Sequence, residues 1–226
     1  MNEESGNNNL KIVLVGEAGV GKTSIITQFI DNYFEEDLQA STGASFSAKN
    51  LVFDNGEKLR VEIWDTAGQE RYRSLSKIFF QNSGAVVFVF DITRKSSFEE
   101  IKSYWIKQVK ESVSNNIIKV LAANKYDLFD REEVDEEEAR KFAEENNSLF
   151  FLTSAKSSIG INELFVGISK KFMGWDEKVE LIKNDNNDIE SNDADKNINI
   201  NYREGTISLN RESNKNINEE HKGGCC

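Results

Sequence analysis

The stretch Gly16-Glu17-Ala18-Gly19-Val20-Gly21-Lys22-Thr23 constrains this chain more than any other part of it. It follows directly on the apolar run Leu10-Lys11-Ile12-Val13-Leu14-Val15 and leads into a helical run from Ser24 to Tyr33. A strand must therefore feed a glycine-rich turn that passes at once into a helix. Glycine lets the backbone turn tightly and approach a ligand closely. Successive N–H groups then converge into an anion-binding concavity backed by a helix N-terminus. The phosphate-binding set read from this pattern is Glu17, Ala18, Gly19, Val20, Gly21, Lys22, Thr23 and Ser24. Lys22 adds a mobile positive charge for terminal phosphates, and the Thr23 hydroxyl is a hard oxygen ligand for Mg²⁺. Nucleotide binding is the reading from which the other residues are weighed.

Periodicity extends the same architecture to residue 173. Strand-like runs fall at 10–16, 46–54, 58–65, 85–91, 117–123 and 149–153, and helical runs at 22–33, 97–112, 135–146 and 160–173. Strands alternating with helices imply crossover connections and a mostly parallel sheet covered on both faces. Asp54-Asn55-Gly56-Glu57 is too short for a crossover, so the second and third strands form an antiparallel hairpin at the edge. The expected fold is a doubly wound α/β domain with six strands and one antiparallel edge hairpin. Ligands in such folds sit beyond the C-terminal ends of the strands, where the glycine-rich turn lies.

Composition narrows the rest. A hydrophobic content of 38% is low for 226 residues that are all folded. Past Trp175 the chain is rich in Asn, Asp, Glu, Ser and Lys without a sustained period, and that composition buries too little apolar surface to offset ordering entropy. The expected organisation is a flexible N-terminus over 1–8, one domain over 9–174, and a disordered acidic, Asn-rich tail over 175–226. The net charge of −11 argues against nonspecific nucleic-acid binding. No apolar run reaches the roughly 20 residues that span a bilayer, and the polar N-terminus carries no signal-peptide pattern. The two cysteines, Cys225 and Cys226, are adjacent and cannot form a disulfide framework.

Three further loops complete a candidate site. Trp64-Asp65-Thr66-Ala67-Gly68-Gln69 follows the third strand. A carboxylate there, Asp65, can hold Mg²⁺ through water. Gly68 can bring its N–H to a γ-phosphate, and Gln69 can orient an attacking water. Asn124-Lys125-Tyr126-Asp127 closes the fifth strand. The Asp127 carboxylate can accept the paired donors of guanine, Lys125 can cover the base plane, and Asn124 can tie this loop to the phosphate loop. Ser154-Ala155-Lys156 follows the sixth strand and offers a backbone N–H to the guanine O6. Each loop alone reads as ordinary polar surface. Four in this order, each at a strand end, do not.

Over residues 8 to 174 the chain resembles a small GTPase of the Ras superfamily and, within it, a Rab. The segments that carry the likeness are the four loops, Trp64 through Tyr72, Phe79-Phe80, Phe90-Asp91-Ile92-Thr93 and the terminal Gly223-Gly224-Cys225-Cys226. Gly43-Ala44-Ser45-Phe46 leans toward the endosomal branch. The resemblance implies a slow GTPase that switches between GTP and GDP states and directs vesicle traffic. It implies lipid attachment, with geranylgeranyl on Cys225 and Cys226, to the cytoplasmic face of endomembranes, and cycling with the cytosol. It also implies an exchange factor, an activating protein, prenyl-carrying escort and extraction proteins, and effectors reading the switch loops. Phe34 matches the aromatic residue on the guanine edge, while Phe46, Trp64 and Phe79 match the effector-reading triad. Alternatives are a Rab-like protein that binds nucleotide with little hydrolysis, and another P-loop NTPase.

Switch I departs from the family pattern of Thr, an aliphatic residue and Gly, because this chain has Ala40-Ser41-Thr42-Gly43. An ungapped register puts Ser41 at the magnesium-binding threonine and preserves the spacing to Phe34 and Phe46. A one-residue deletion would put Thr42 there. No residue presents itself as an arginine finger in cis.

Overall fold

The computed structural model describes residues 9–36, 43–66, 76–113, 116–175 and 197–198. β1 (Asn9–Val15) leads through the glycine-rich turn to α1 (Lys22–Asp31). The antiparallel pair β2 (Ser45–Val52) and β3 (Lys58–Asp65) follows. Then come α2 (Ser76–Phe80), β4 (Ala85–Asp91), α3 (Lys95–Glu100), a π-helical turn (Ile101–Trp105) and α4 (Ile106–Ser112). β5 (Ile118–Asn124), a 3₁₀ segment (Tyr126–Arg131), α5 (Glu136–Glu145), β6 (Ser148–Leu152) and α6 (Ile161–Met173) complete the domain. The sheet order is β6-β5-β4-β1-β3-β2-β7, parallel throughout except for β2 against β3. The expected six-stranded mixed sheet is present. One addition was not foreseen: β7 (Asn197–Ile198) pairs in parallel with Asn50 and Leu51 on the outer edge of β2.

Strand side chains alternate between faces, and two cores result. On one face Ile12, Leu14, Val87 and Val89 meet Ile25 and Phe29 of α1 and Phe165 and Ile168 of α6. Phe29 and Phe165 stack there with ring centroids 4.0 Å apart. On the other face Val13, Val15, Phe88 and Phe90 meet Phe98, Trp105 and Val109, with Ala139 and Ala143 of α5. β4 is buried along its whole length, which is why Ala-Val-Val-Phe-Val-Phe reads as a continuous apolar run rather than an alternation. Truncating a fully buried phenylalanine such as Phe90 costs about 3–5 kcal/mol.

The boundaries differ from the sequence expectation in physically readable ways. α1 stops at Asp31 because Asn32 takes a left-handed conformation (φ 53°) and its N–H closes on the Gln28 carbonyl. The expected helix at 97–112 begins earlier, at Lys95, and widens into the π turn that buries both Trp105 and Ile106. Lys49, in the middle of β2, is buried. α1 has no basic residue in its last turn. Lys49 supplies that cation from the neighbouring strand, donating to the Phe29 carbonyl and, at 3.3 Å, to that of Ile30.

Candidate functional site

The phosphate loop lies where β1 ends and α1 begins. Gly21 caps α1 with φ 97°, and a Cβ placed there would come within 2.4 Å of the Asn124 Nδ2. Only glycine fits both the conformation and the contact. No side chain caps α1, and no acidic residue sits in its first turn. The positive end of its dipole there favours an external anion. Lys22 is buried and donates from Nζ to the carbonyls of Gly16 and Glu17, both at 2.9 Å. Burial lowers its pKa from 10.5 to about 8, with Asp65, Glu100 and Glu17 acting in the opposite direction. A phosphate brought alongside would add countercharge and offset the burial.

The Thr23 Oγ1 donates to the Asp65 Oδ2 at 2.5 Å, across the mouth between α1 and the end of β3. Asp65 is buried, and next to it the Thr66 hydroxyl donates to the Leu14 carbonyl at 2.7 Å, fixing the exit of β3 against β1. A hydroxyl and a carboxylate at hydrogen-bond distance are the hard oxygen donors that Mg²⁺ takes, so the residues present fit that ion.

The base-side loops are bound to the phosphate loop. Asn124, at the end of β5, donates from Nδ2 to the Val20 carbonyl at 2.8 Å and accepts from the Thr153 hydroxyl at 3.2 Å. Lys125 adopts φ 64° and pairs with the Asp91 Oδ2 at 2.7 Å. Burial works against the Asp91 charge, yet hydrogen bonds from Lys125 and Thr93 hold its carboxyl below the usual range. Asp127 Oδ1 accepts from the Ser154 hydroxyl at 2.6 Å, and Ser154 Oγ in turn accepts from the Ser157 N–H. Ala155 is buried, and the exposed Lys156 pairs with Glu36 at 2.8 Å. Phe34, two residues before Glu36, packs partly buried against the first core. The structure therefore gathers Lys22, Thr23, Asp65, Asn124, Lys125, Asp127, Ser154 and Lys156 at one end of the sheet. Ser41, Thr42, Gly68, Gln69, Cys225 and Cys226 lie outside the described residues.

The family model for the Ras family matches residues 11–174. Ras-related protein Rab-22A of Homo sapiens is 40% identical over 167 residues, 74% of this chain and 85% of that protein. GTP-binding protein ypt5 of Schizosaccharomyces pombe is 42% identical over 164 residues, 72% and 77% of the two chains. Ras-related protein Rab-31 of Rattus norvegicus is 43% identical over 162 residues, 72% and 82%. The chain belongs to the Ras family as a Rab small GTPase. As a Rab it is a GTPase that acts as a switch in vesicle traffic.

In this Rab the three aromatic residues matched to effector reading are contiguous. Phe46 and Trp64 pair across β2 and β3 with centroids 5.5 Å apart, and Trp64 lies 6.2 Å from Phe79. Phe46 is 50% exposed, whereas Trp64 and Phe79 lean on the second core. Sequence reasoning missed several partners. Asp91 was visible only as part of a family signature, although a carboxylate at a strand end was its signal. Thr153 and Glu36 carry no pattern. Arg94 was passed over because its contact is made in three dimensions: it donates from Nη2 to the Ala18 carbonyl at 2.9 Å.

Proposed function

We propose that residues 9–174 bind GTP and GDP in the cleft between the phosphate loop and the Asn124–Asp127 loop, and that GTP hydrolysis there times a vesicle-traffic switch. The observation that carries this reading is the bonded pair of loops. An uncapped helix N-terminus for phosphates is joined through Asn124 to a carboxylate, Asp127, held by Ser154. Asp127 accepts the paired guanine donors, Lys125 lies along the base, Phe34 covers its edge, and the N–H of Ala155 meets the guanine O6. Glu17 through Ser24 contact the phosphates. Thr23 and Asp65 would hold Mg²⁺, with Ser41 or Thr42 from switch I, and the ion supplies charge neutralisation at the phosphates when bound. Gln69 orients the attacking water, and the Gly68 N–H meets the terminal phosphate.

The remainder of the reading follows from Rab membership. GTP ordering and hydrolysis-driven release of the two switch loops change what exchange factors, activating proteins and effectors can bind. Phe46, Trp64 and Phe79 form the effector face. Geranylgeranyl groups on Cys225 and Cys226, carried by escort and extraction proteins, attach the chain to the cytoplasmic face of endomembranes. Gly43–Phe46 favours the endosomal branch. Among the described residues no helix is long and apolar enough to cross a membrane. Displacement of a fluorescent GDP analogue tests the central claim. GTP and GDP should compete at equal concentrations, and ATP should not. Equal competition by ATP refutes the guanine assignment.

A further inference from the structure

The arginine that packs behind the phosphate loop has a role that neither the motif nor the family assignment gives it. Arg94 follows β4 and immediately precedes α3. Its Nη2 donates to the Ala18 carbonyl at 2.9 Å, and its Nε lies buried 3.7 Å from the Glu17 Oε2 without a hydrogen-bond partner of its own. Ser96 adds a weak bond to the same Glu17 oxygen at 3.4 Å. Lys22 meanwhile grips the Gly16 and Glu17 carbonyls. The loop is thus held by two cations on different carbonyls.

A trans peptide is planar, with its C=O and N–H pointing in opposite directions. Holding the Ala18 carbonyl on Arg94 therefore turns the Gly19 N–H to the far side of that peptide. Gly19 sits at φ 77° and has no Cβ, so rotation of the Ala18–Gly19 peptide meets little intrinsic resistance. A flipped peptide would present a carbonyl where phosphate needs a donor. We infer that Arg94 is a positioning residue for GTP and GDP binding, fixing the Ala18–Gly19 peptide so that the Gly19 N–H faces the phosphates. It acts through the backbone of the loop and does not itself touch the reacting atoms. The inference rests on the GTPase reading above.

The Arg94 side chain is 37% exposed, which places the effect at the lower end for a charge-assisted hydrogen bond. Arg94→Ala should release GDP about tenfold faster than the unmodified protein. It should also move the ³¹P resonance of the bound β-phosphate. Arg94→Lys, which keeps a charged donor without the fork, should stay within about threefold and keep the resonance near its original position. Lys95→Ala removes the same charge from an exposed neighbour and should change neither quantity. All measurements use the full chain loaded with GDP and Mg²⁺. Should Arg94→Ala give no folded protein, Arg94→Gln reads the same two quantities with one donor kept. The inference is overturned if Arg94→Ala matches Lys95→Ala in both. It is equally overturned if Arg94→Ala lowers the melting temperature while the ³¹P resonance stays put, since that is plain scaffolding. Failure of the unmodified protein to bind GDP would instead remove the GTPase reading itself.

Discussion

Lys22→Met should make the nucleotide-free protein more stable while abolishing nucleotide binding. Lys22 is 5% exposed, and burial brings its pKa to about 8 despite the attraction of Asp65, Glu100 and Glu17; Arg94 adds repulsion. The fall from 10.5 to about 8 amounts to roughly 3 kcal/mol at about 1.4 kcal/mol for each tenfold change in proton affinity. Methionine fills a similar volume without the charge. Losing the two bonds to Gly16 and Glu17, at about 1 kcal/mol each, takes back about 2 kcal/mol, leaving a net gain of roughly 1 kcal/mol, or about 2–4 °C in melting temperature for a domain of this size. The pH dependence has a definite sign. A lysine whose folded pKa is depressed destabilises most below about pH 8, where both states are charged. Its penalty shrinks as pH rises through 8 toward 10.5 and is absent above that window. Thermal unfolding of protein stripped of nucleotide and magnesium, at half-unit steps from pH 7 to 10, measures this. The gap between Lys22→Met and the unmodified protein should narrow across the series. A variant less stable at pH 7, or a gap independent of pH, refutes the argument.

Asp127→Asn should shift base preference from guanine toward xanthine, since the amide offers a donor where guanine also presents donors; unchanged GTP-over-XTP competition would show the role misassigned. Gln69→Leu should slow single-turnover hydrolysis by at least tenfold with GDP affinity nearly unchanged, and equal rates would remove Gln69 as the water-orienting residue. Of Ser41→Ala and Thr42→Ala, only the magnesium-binding position should weaken GTP binding more than GDP binding, as read by paired dissociation rates. From Asp176 onward the chain carries seven basic and twelve acidic residues, so no basic patch assists membrane attachment and, on the proposed function, the lipids must suffice. Changing both Cys225 and Cys226 to Ser should move the protein to the soluble fraction with GTP binding intact; persistence in the membrane fraction would point to a protein receptor.

What the sequence made legible was whatever depends on spacing along the chain. The phosphate loop, Asp65, Asn124, Asp127 and Ser154 were readable because each follows an apolar run at a strand end. The sheet was readable because β4 is a continuous apolar run, β1 and β5 are apolar runs broken only by Lys11 and Lys119, and Gly56 marks a tight turn. What escaped depends on packing between distant segments. α2 has five residues and the 3₁₀ segment six, too few to display a period. Lys49 sits inside a strand where a lysine ordinarily signals solvent, and the carbonyls at the end of α1 and the Phe29 ring, 4.5 Å from its Nζ, account for its burial. Arg94 could not be read because its partner, Ala18, is 76 positions away and is reached only because β4 lies beside β1.

The hydrogen bonds that join these loops bear on how nucleotide would leave the proposed site. The Val20 carbonyl, the Asn124 amide and the Thr153 hydroxyl form one buried chain from the phosphate loop to the two guanine-side loops. The Thr153 carbonyl then accepts from the Tyr126 N–H, within the segment that carries Asp127. Asn124 is 1% exposed, so breaking its bonds without replacement leaves buried polar groups unpaired, at about 1–3 kcal/mol each. A regulator that moves the phosphate loop must either break that chain or carry the base loops with it. Either course weakens the grip on base and phosphates together. The exposed Lys156–Glu36 pair offers far less resistance, because solvent replaces its partners at little cost. Opening therefore has an easy side, where Glu36 meets the Ser154–Lys156 loop, and a resistant side at Asn124. If the proposed site is right, release of the intact nucleotide should proceed most readily from the first.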